Sequence, residues 1–175
     1  MNIMEKEGVA VCVIPKVASQ SIQAAIEQCE HTRPNEEEAM AFSTRIAFVR
    51  DPIERFDSLF SHMHSLARGG SKAVAKELGG SVLGIHPDTD YKSFVNYVLS
   101  GHTNAHWLPQ SEQLSSIPTD IYRFEDLEKA WERHFTGALP WNNKWTPIEH
   151  NPYREDDLKE YYKADYALRE KTKWL

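Results

Sequence analysis

The sequence predicts an α/β fold in which a parallel β-sheet is flanked by helices, as one domain over residues 1–175. Three apolar segments each lead into an amphipathic helix, which is the alternation typical of a parallel sheet. A chain of 175 residues is long enough to bury a substantial core. Hydrophobic residues make up 41% of the chain and charged residues 26%, which indicates a globular rather than a disordered protein.

The first predicted strand covers residues 9–14, after a polar lead-in over residues 1–8. Its six apolar residues are typical of a strand that is buried on both faces. Pro15 ends the strand, and a polar loop that contains Lys16 follows it. Apolar residues then recur at the spacing of one helix face, which predicts a helix over residues 22–30. A strand, a short loop with a lysine and a helix together direct backbone amides and an ammonium group at a phosphate.

A second strand is predicted over residues 43–49, and it leads directly into Arg50. Asp51 suits an N-cap and Pro52 suits the first turn of a helix. Apolar residues at helical spacing predict that this helix covers residues 53–67. Ligands of parallel sheets bind beyond the carboxyl ends of the strands, which is where the lysine loop and Arg50 both lie.

Arg50, the start of the second helix and Ser58 together predict a second anion site, because the planar fork of arginine matches phosphate geometry. The pattern places Arg55, Ser58 and His62 on a stripe of the helix away from its apolar face. The alternative is a purely structural ion-pair cluster, formed by Arg50, Asp51, Glu54 and Arg55.

The remainder of the chain continues the same pattern after a long connection. An irregular segment rich in His, Trp, Pro and Gln is predicted over residues 101–116, between a helix over 88–100 and a third strand over 120–124. Two further helices are predicted, over residues 125–135 and 154–171.

Composition excludes several classes of function. The net charge of −6 argues against nucleic acid as the main partner, because a phosphate backbone requires a basic face. No signal peptide and no apolar segment of membrane-spanning length stand out, so we expect a cytoplasmic protein without a membrane span. We expect no metal site, because two histidine pairs lack chelating geometry: His62 with His64, and His102 with His106.

Several segments resemble motifs of the sulfotransferases that use 3′-phosphoadenosine 5′-phosphosulfate (PAPS). Pro15-Lys-Val-Ala-Ser-Gln-Ser21 resembles the loop that binds the 5′-phosphosulfate, with its Pro-Lys-x-x-[Ser/Thr] pattern. Phe48-Val-Arg-Asp-Pro-Ile-Glu-Arg-Phe-Asp-Ser58 resembles the motif that binds the 3′-phosphate, an arginine followed eight residues later by a serine. Three later segments resemble the carbohydrate (Golgi-type) branch: Ala105-His-Trp-Leu-Pro-Gln110, Tyr122-Arg-Phe-Glu-Asp-Leu127 and Tyr161-Tyr-Lys-Ala-Asp165-Tyr.

The resemblance implies a P-loop-like three-layer fold and the transfer of a sulfuryl group from PAPS to a hydroxyl of a small molecule or carbohydrate, without a metal. It implies that Lys16 stabilises the charge on the leaving phosphate. The residues that it assigns to PAPS are Pro15, Lys16, Val17, Ala18, Ser19, Gln20, Ser21, Arg50 and Ser58.

The general base that an acceptor hydroxyl requires stays open among three residues. His31 is the first candidate because the pKa of imidazole suits proton transfer near neutral pH. Glu36 begins a run of three glutamates, and His106 lies in a segment that relatives place near the acceptor. In that same segment Trp107 and Gln110 are expected to shape the acceptor pocket.

Two departures from the family pattern keep other functions open. Gln20 stands where relatives commonly carry a second Ser or Thr, and the Arg-Lys-Gly element of cytosolic relatives is missing. One alternative is therefore a catalytically degenerate nucleotide-binding protein on the same fold. A nucleotide-dependent phosphotransferase is the other, although the sequence lacks the Gly-x-x-x-x-Gly-Lys-[Ser/Thr] pattern.

Overall fold

The computed structural model describes residues 2–28, 32–67, 89–114, 117–140 and 151–173, with the backbone alone at 64–67. The strands are β1 (Asn2–Lys6), β2 (Val9–Val13), β3 (Thr44–Val49) and β4 (Asp120–Arg123). The first helices are α1 (Ser19–Glu27), α2 (Glu36–Ala39), α3 (Pro52–Ala67) and α4 (Tyr91–Leu99). The later ones are α5 (Gln110–Leu114), a 3₁₀ turn (Phe124–Asp126), α6 (Leu127–His134), α7 (Glu155–Tyr161) and α8 (Lys163–Glu170).

The four strands form one sheet in the order β1-β2-β3-β4. β2 pairs with β3 and β3 pairs with β4 in parallel, whereas β1 is antiparallel to β2. The predicted α/β class is confirmed, but the sheet is only mostly parallel, because β1 is an antiparallel strand that the sequence did not predict. Because β2, β3 and β4 run the same way, the segments that follow them leave the sheet at one edge.

Residues 1–8 do not form the polar lead-in that the sequence predicts. Ile3 and Met4 are buried in β1, and the turn to β2 is formed by Glu7 and Gly8 with φ angles of 52° and 77°. Two residues with positive φ make a tight hairpin whose twist matches that of the flanking strands. The strand was missed because Asn2, Glu5 and Lys6 interrupt its apolar pattern.

Two apolar clusters build the core of the described residues. The first joins the sheet to α1 and α6, and it contains all five residues of β2. The second joins α3, α4 and α7, with Phe56 and Phe94 stacked at a centroid distance of 5.0 Å. Trp107 belongs to the second cluster, so the segment before α5 is anchored by its own core residue.

The end of the chain differs from the single helix predicted over residues 154–171. α7 and α8 are separate, with Tyr162 between them at φ −98° and ψ 15°. The hydroxyl of Tyr162 donates a hydrogen bond to the carbonyl of Trp107 at 2.6 Å. This buried contact fixes the junction against the segment that leads into α5. No helix in the described ranges combines the length and the apolar character that a membrane crossing requires.

Candidate functional site

The residues predicted to bind anions lie at the carboxyl ends of neighbouring strands. β2 leads into the loop that carries Lys16, and β3 leads directly into Arg50. β4 leads into Phe124, whose ring lies under the Arg50 guanidinium at 4.9 Å from its centroid. The parallel register of the three strands therefore brings both cations to one edge of the sheet.

The loop between β2 and α1 has an unusual backbone. Lys16 and Ala18 have φ angles of 68° and 51°, in the left-handed region that residues other than glycine seldom occupy. Strain of this kind is concentrated at ligand-binding sites, where the surrounding structure holds the backbone in place. The loop thus carries backbone strain at the place where the sequence predicts a bound phosphate.

The first turn of α1 is suited to an anion. Ala18 is the N-cap residue, it makes no side-chain hydrogen bond to the helix, and the first turn contains no acidic residue. The partial positive charge of this helix end is therefore not neutralised by its own cap. A phosphate or phosphosulfate group is the ligand that such a helix end accepts.

The loop side chains differ in what they can offer to a ligand. Lys16 and Ser19 are half-buried, and Gln20 is exposed. Val17 and Ser21 are 1% and 5% exposed, so both side chains face the interior. We therefore assign these two side chains to anchoring the loop rather than to contact with a ligand.

Arg50 lies two residues before the first residue of α3. The sequence predicts that the N-terminus of this helix helps to bind an anion, but its first amides already have a partner. Asp51 Oδ1 accepts hydrogen bonds from the amides of Ile53 at 3.0 Å and Glu54 at 3.1 Å, so the predicted N-cap is confirmed. An aspartate in this position occupies the amides that would bind an anion. The Arg50 side chain, 21% exposed, also pairs with Glu54 at 3.5 Å. The predicted second anion site therefore depends on the side chains of Arg50 and Ser58, both of which are half-buried.

Arg55 does not share a polar surface stripe with Ser58, as the helical pattern suggested. The side chain is 1% exposed, and its guanidinium donates to the carbonyl of Pro15 at 3.1 Å. It also donates to the carbonyls of Leu108 at 3.1 Å and Ala105 at 3.2 Å. Burial lowers the pKa of Arg55. One buried cation thus ties the lysine loop to the 105–108 segment.

Gln110 and Asp165 form a polar network that fixes the backbone of Arg50. The Gln110 side chain accepts from the Arg50 amide at 3.0 Å and donates to the Arg50 carbonyl at 2.9 Å. Both Gln110 and Asp165 are 1% exposed. The Asp165 carboxylate accepts from the amides of Gln110 and Ser111, each at 2.8 Å. The positioning role of Asp165 was not predicted from the sequence.

Trp107 and Gln110 have no surface with which to contact an acceptor. Trp107 is 1% exposed, and its indole N–H donates to the carbonyl of His102 at 2.7 Å. The expected role of these two side chains in shaping the acceptor pocket is therefore replaced by core packing and by the positioning of Arg50. His106 is half-buried, with Nδ1 at 2.8 Å from the Asn104 side-chain oxygen.

A cavity of about 490 Å³ lies beside this segment. It brings Glu36, at the start of α2, to the same surface as the loop before α5. Its lining residues are Glu36, Thr103, Asn104, Ala105, Leu108, Glu112 and Gln113. Of the three candidates for the general base, Glu36 lines the cavity, His106 is adjacent to its wall in sequence, and His31 lies outside the described residues.

Within the described ranges, no cluster of three or more His, Cys, Asp or Glu side chains has the geometry to hold a metal ion. Cys12 is buried in β2, where burial raises the pKa of its thiol to about 12. This thiol is therefore an apolar core group rather than a nucleophile.

A comparison with known protein families identifies the family of this chain. A model of the sulfotransferase family matches residues 1–172, which is nearly the whole chain. No curated protein and no solved structure gave a significant match. The family match includes both predicted anion sites and the buried network that supports Arg50. The chain therefore belongs to the sulfotransferase family.

Proposed function

We propose that this protein transfers the sulfuryl group of PAPS to a hydroxyl group of an acceptor, which we take to be a carbohydrate or another small molecule. The observation that carries the proposal is the placement of Lys16 and Arg50 at the ends of two adjacent parallel strands. Two cations at one sheet edge suit a ligand that carries an anionic group at each end. PAPS has this property, with a 5′-phosphosulfate and a 3′-phosphate on one adenosine.

The described residues fit such a ligand. Lys16, Ser19 and the uncapped first turn of α1 would hold the 5′-phosphosulfate, and Arg50 and Ser58 would hold the 3′-phosphate. PAPS supplies the sulfuryl group, which passes to the acceptor oxygen as its bond to the phosphate breaks. Lys16 would stabilise the negative charge that remains on the phosphate, so the chemistry requires no metal.

For the general base we propose Glu36 or His106, because both lie at or beside the cavity. Either group would accept the proton that the acceptor hydroxyl loses. His31 remains a prediction from the sequence. We further propose a cytoplasmic protein whose single domain has the P-loop-like three-layer arrangement of its family.

The test is a comparison of ligands by thermal unfolding. Adenosine 3′,5′-bisphosphate is expected to raise the melting temperature more than ATP does, with or without magnesium, because a ligand stabilises the state that binds it. Lys16→Ala is expected to abolish sulfate transfer from labelled PAPS, whereas Lys163→Ala, at an exposed position on α8, should leave transfer unchanged.

Three results would contradict the proposal. Stronger stabilisation by ATP and magnesium would indicate a phosphotransferase. Binding of the bisphosphate without transfer to any sugar, phenol or lipid acceptor would indicate a degenerate binding protein. Full transfer by Lys16→Ala would remove the assigned role of this lysine.

A further inference from the structure

We propose that Arg55 is a positioning residue that holds the loop of Lys16 in the conformation that binds the phosphosulfate. The inference rests on the proposed function and adds a residue that acts on the donor site without contact with the donor. It is carried by three hydrogen bonds of a buried guanidinium, by the left-handed backbone of Lys16 and by the packing of the segment to which the guanidinium connects the loop.

Arg55 uses each of its three guanidinium nitrogens to bind a backbone carbonyl. Nε donates to Pro15 at 3.1 Å, Nη1 to Leu108 at 3.1 Å and Nη2 to Ala105 at 3.2 Å. The side chain is 1% exposed, so it has no surface to offer to a ligand. Within the described residues its hydrogen bonds all end on backbone atoms, so the side chain holds two segments of the chain together.

The Pro15 carbonyl is the group through which Arg55 acts on Lys16. In a trans peptide the C=O of one residue and the N–H of the next point in opposite directions. A fixed Pro15 carbonyl therefore also fixes the direction of the Lys16 amide and the peptide plane from which the φ angle of Lys16 is measured. This angle is 68°, in a region that residues other than glycine seldom occupy unless the surrounding structure holds them there.

The other end of the connection is anchored in the core. Trp107 lies in the same segment, residues 105–108, and is 1% exposed. Its backbone carbonyl accepts a hydrogen bond from the Tyr162 hydroxyl at 2.6 Å. Close-packed interiors transmit strain rather than absorb it. The segment is therefore a firm support, against which Arg55 can hold the loop in its strained conformation.

The first test compares two arginine-to-lysine variants of the ligand-free protein by NMR. Arg55→Lys keeps the charge, but one ammonium nitrogen cannot replace three guanidinium nitrogens that point in different directions. Arg45→Lys is the matched control, because Arg45 also donates to backbone carbonyls, those of Ile117 and Phe42, at the amino end of β3. The readout is the nuclear Overhauser effect between the amide proton and Hα of Lys16, which is strong when φ is positive. It is expected to weaken in Arg55→Lys and to stay unchanged in Arg45→Lys, even if both variants lose thermal stability.

The second test measures the affinity for adenosine 5′-phosphosulfate by calorimetric titration. Arg55→Lys is expected to lower this affinity about tenfold, because only molecules with the correct loop conformation bind. In the Lys16→Ala background the same substitution is expected to cost about threefold or less, because a residue that acts through Lys16 loses its effect when Lys16 is replaced.

A measurement on the wild type covers the case in which Arg55→Lys does not fold. Coupling between two sites is reciprocal, so a nucleotide that binds the loop should also stabilise the bond between Arg55 and Pro15. Adenosine 5′-phosphosulfate is therefore expected to slow the hydrogen exchange of the Arg55 Nε–H and to leave that of the Arg45 Nε–H unchanged.

The proposal is overturned if Lys16 keeps its strong Overhauser effect in Arg55→Lys, if the loss of affinity is equal in the two backgrounds, or if the nucleotide leaves the exchange of the Arg55 Nε–H unchanged. The proposed function fails separately, if the wild type binds no adenosine nucleotide. The Overhauser effect, measured without a ligand, then still decides whether Arg55 positions Lys16.

Discussion

At the scale of single residues, the position of Arg50 depends on a buried amide and a buried carboxylate. Gln110 bonds to both backbone polar groups of Arg50, as a neighbouring strand would. Asp165 in turn accepts from the backbone and side-chain N–H groups of Gln110, at 2.8 and 3.3 Å. A network of this kind orients a binding group without contact between its outer members and the ligand.

Replacement of Asp165 by asparagine is expected to weaken binding at the proposed 3′-phosphate site. The variant introduces an NH₂ group toward the Gln110 and Ser111 amides, so at least one of these buried donors loses its acceptor. A loss of this type costs about 1–3 kcal/mol in the free energy of unfolding. A general loss of stability would weaken the binding of all nucleotides alike. Displacement of Arg50 would weaken the binding only of nucleotides that carry a 3′-phosphate.

The measurement is the ratio of two affinities, for adenosine 3′,5′-bisphosphate and for adenosine 5′-phosphosulfate. Asp165→Asn is expected to lower this ratio, and Asp156→Asn, at an exposed position on α7, should not. An unchanged ratio in Asp165→Asn would show that this carboxylate serves stability alone.

The sequence allowed some of these residues to be predicted and not others. Lys16 and Arg50 follow apolar strands directly, so local pattern and the rule for parallel sheets are enough to place them at one edge. Arg55 and Asp165 are charged residues that the fold buries, and helical periodicity alone predicts charged side chains at the surface. Their partners are 40 and 55 residues away, as in the Arg55–Pro15 and Asp165–Gln110 bonds, so no local pattern reveals them.

At the scale of elements, the loop between β2 and α1 combines two left-handed residues with an uncapped helix. Ala18 has a φ of 51°, which glycine adopts without a steric penalty and a β-branched residue tolerates poorly. The loop conformation is therefore sensitive to the side chain at this position, and substitutions of opposite steric character should have opposite effects.

Ala18→Val is expected to lower the free energy of unfolding by about 1–2 kcal/mol and to weaken binding of adenosine 3′,5′-bisphosphate. Ala18→Gly is expected to leave stability unchanged or raise it, since the strain at this residue is relieved. Urea denaturation and calorimetric titration measure the two quantities. If valine is tolerated as well as glycine, the left-handed loop conformation is wrong.

The regular elements were predicted where the apolar period was long and were missed where the period was broken. α3 and α4 have apolar residues at repeated helical positions, and these residues are buried in the second apolar cluster, as predicted. β1 was missed because its polar residues do not alternate regularly with its apolar ones. The five-residue helix α5 was missed because it lies within a segment rich in Pro and Gln. The Asp165 carboxylate accepts hydrogen bonds from the first two amides of α5, so a residue distant in sequence stabilises this helix.

At the scale of the whole molecule, a contact between β4 and α6 makes stability depend on pH. His134 Nε2 lies 2.8 Å from the Tyr122 hydroxyl. Burial lowers the pKa of His134 below the ordinary histidine value of about 6.5. Asp120 opposes this shift, whereas Arg133 and Lys173 add to it. Between the pKa of His134 in the unfolded chain and its lower pKa in the folded protein, the unfolded chain binds more protons than the folded one. The free energy of unfolding therefore falls as the pH drops below about 6.5.

His134→Gln is expected to reduce that pH dependence, because glutamine can bond to the Tyr122 hydroxyl but does not titrate. The measurement is the difference in the free energy of unfolding between about pH 7.5 and about pH 5.5. The difference should be smaller in the variant than in the wild type. An equal or larger difference in His134→Gln would contradict the assignment.

The parallel sheet carries Lys16 and Arg50 at the ends of adjacent strands, and the proposed function depends on this placement. The most direct test of this account is a calorimetric titration of Arg50→Ala with two nucleotides. Affinity for adenosine 3′,5′-bisphosphate should fall about 100-fold, because a charge-assisted contact to a phosphate is lost, while affinity for adenosine 5′-phosphosulfate should stay nearly unchanged. Equal losses for both nucleotides would contradict the assignment of Arg50 to the 3′-phosphate.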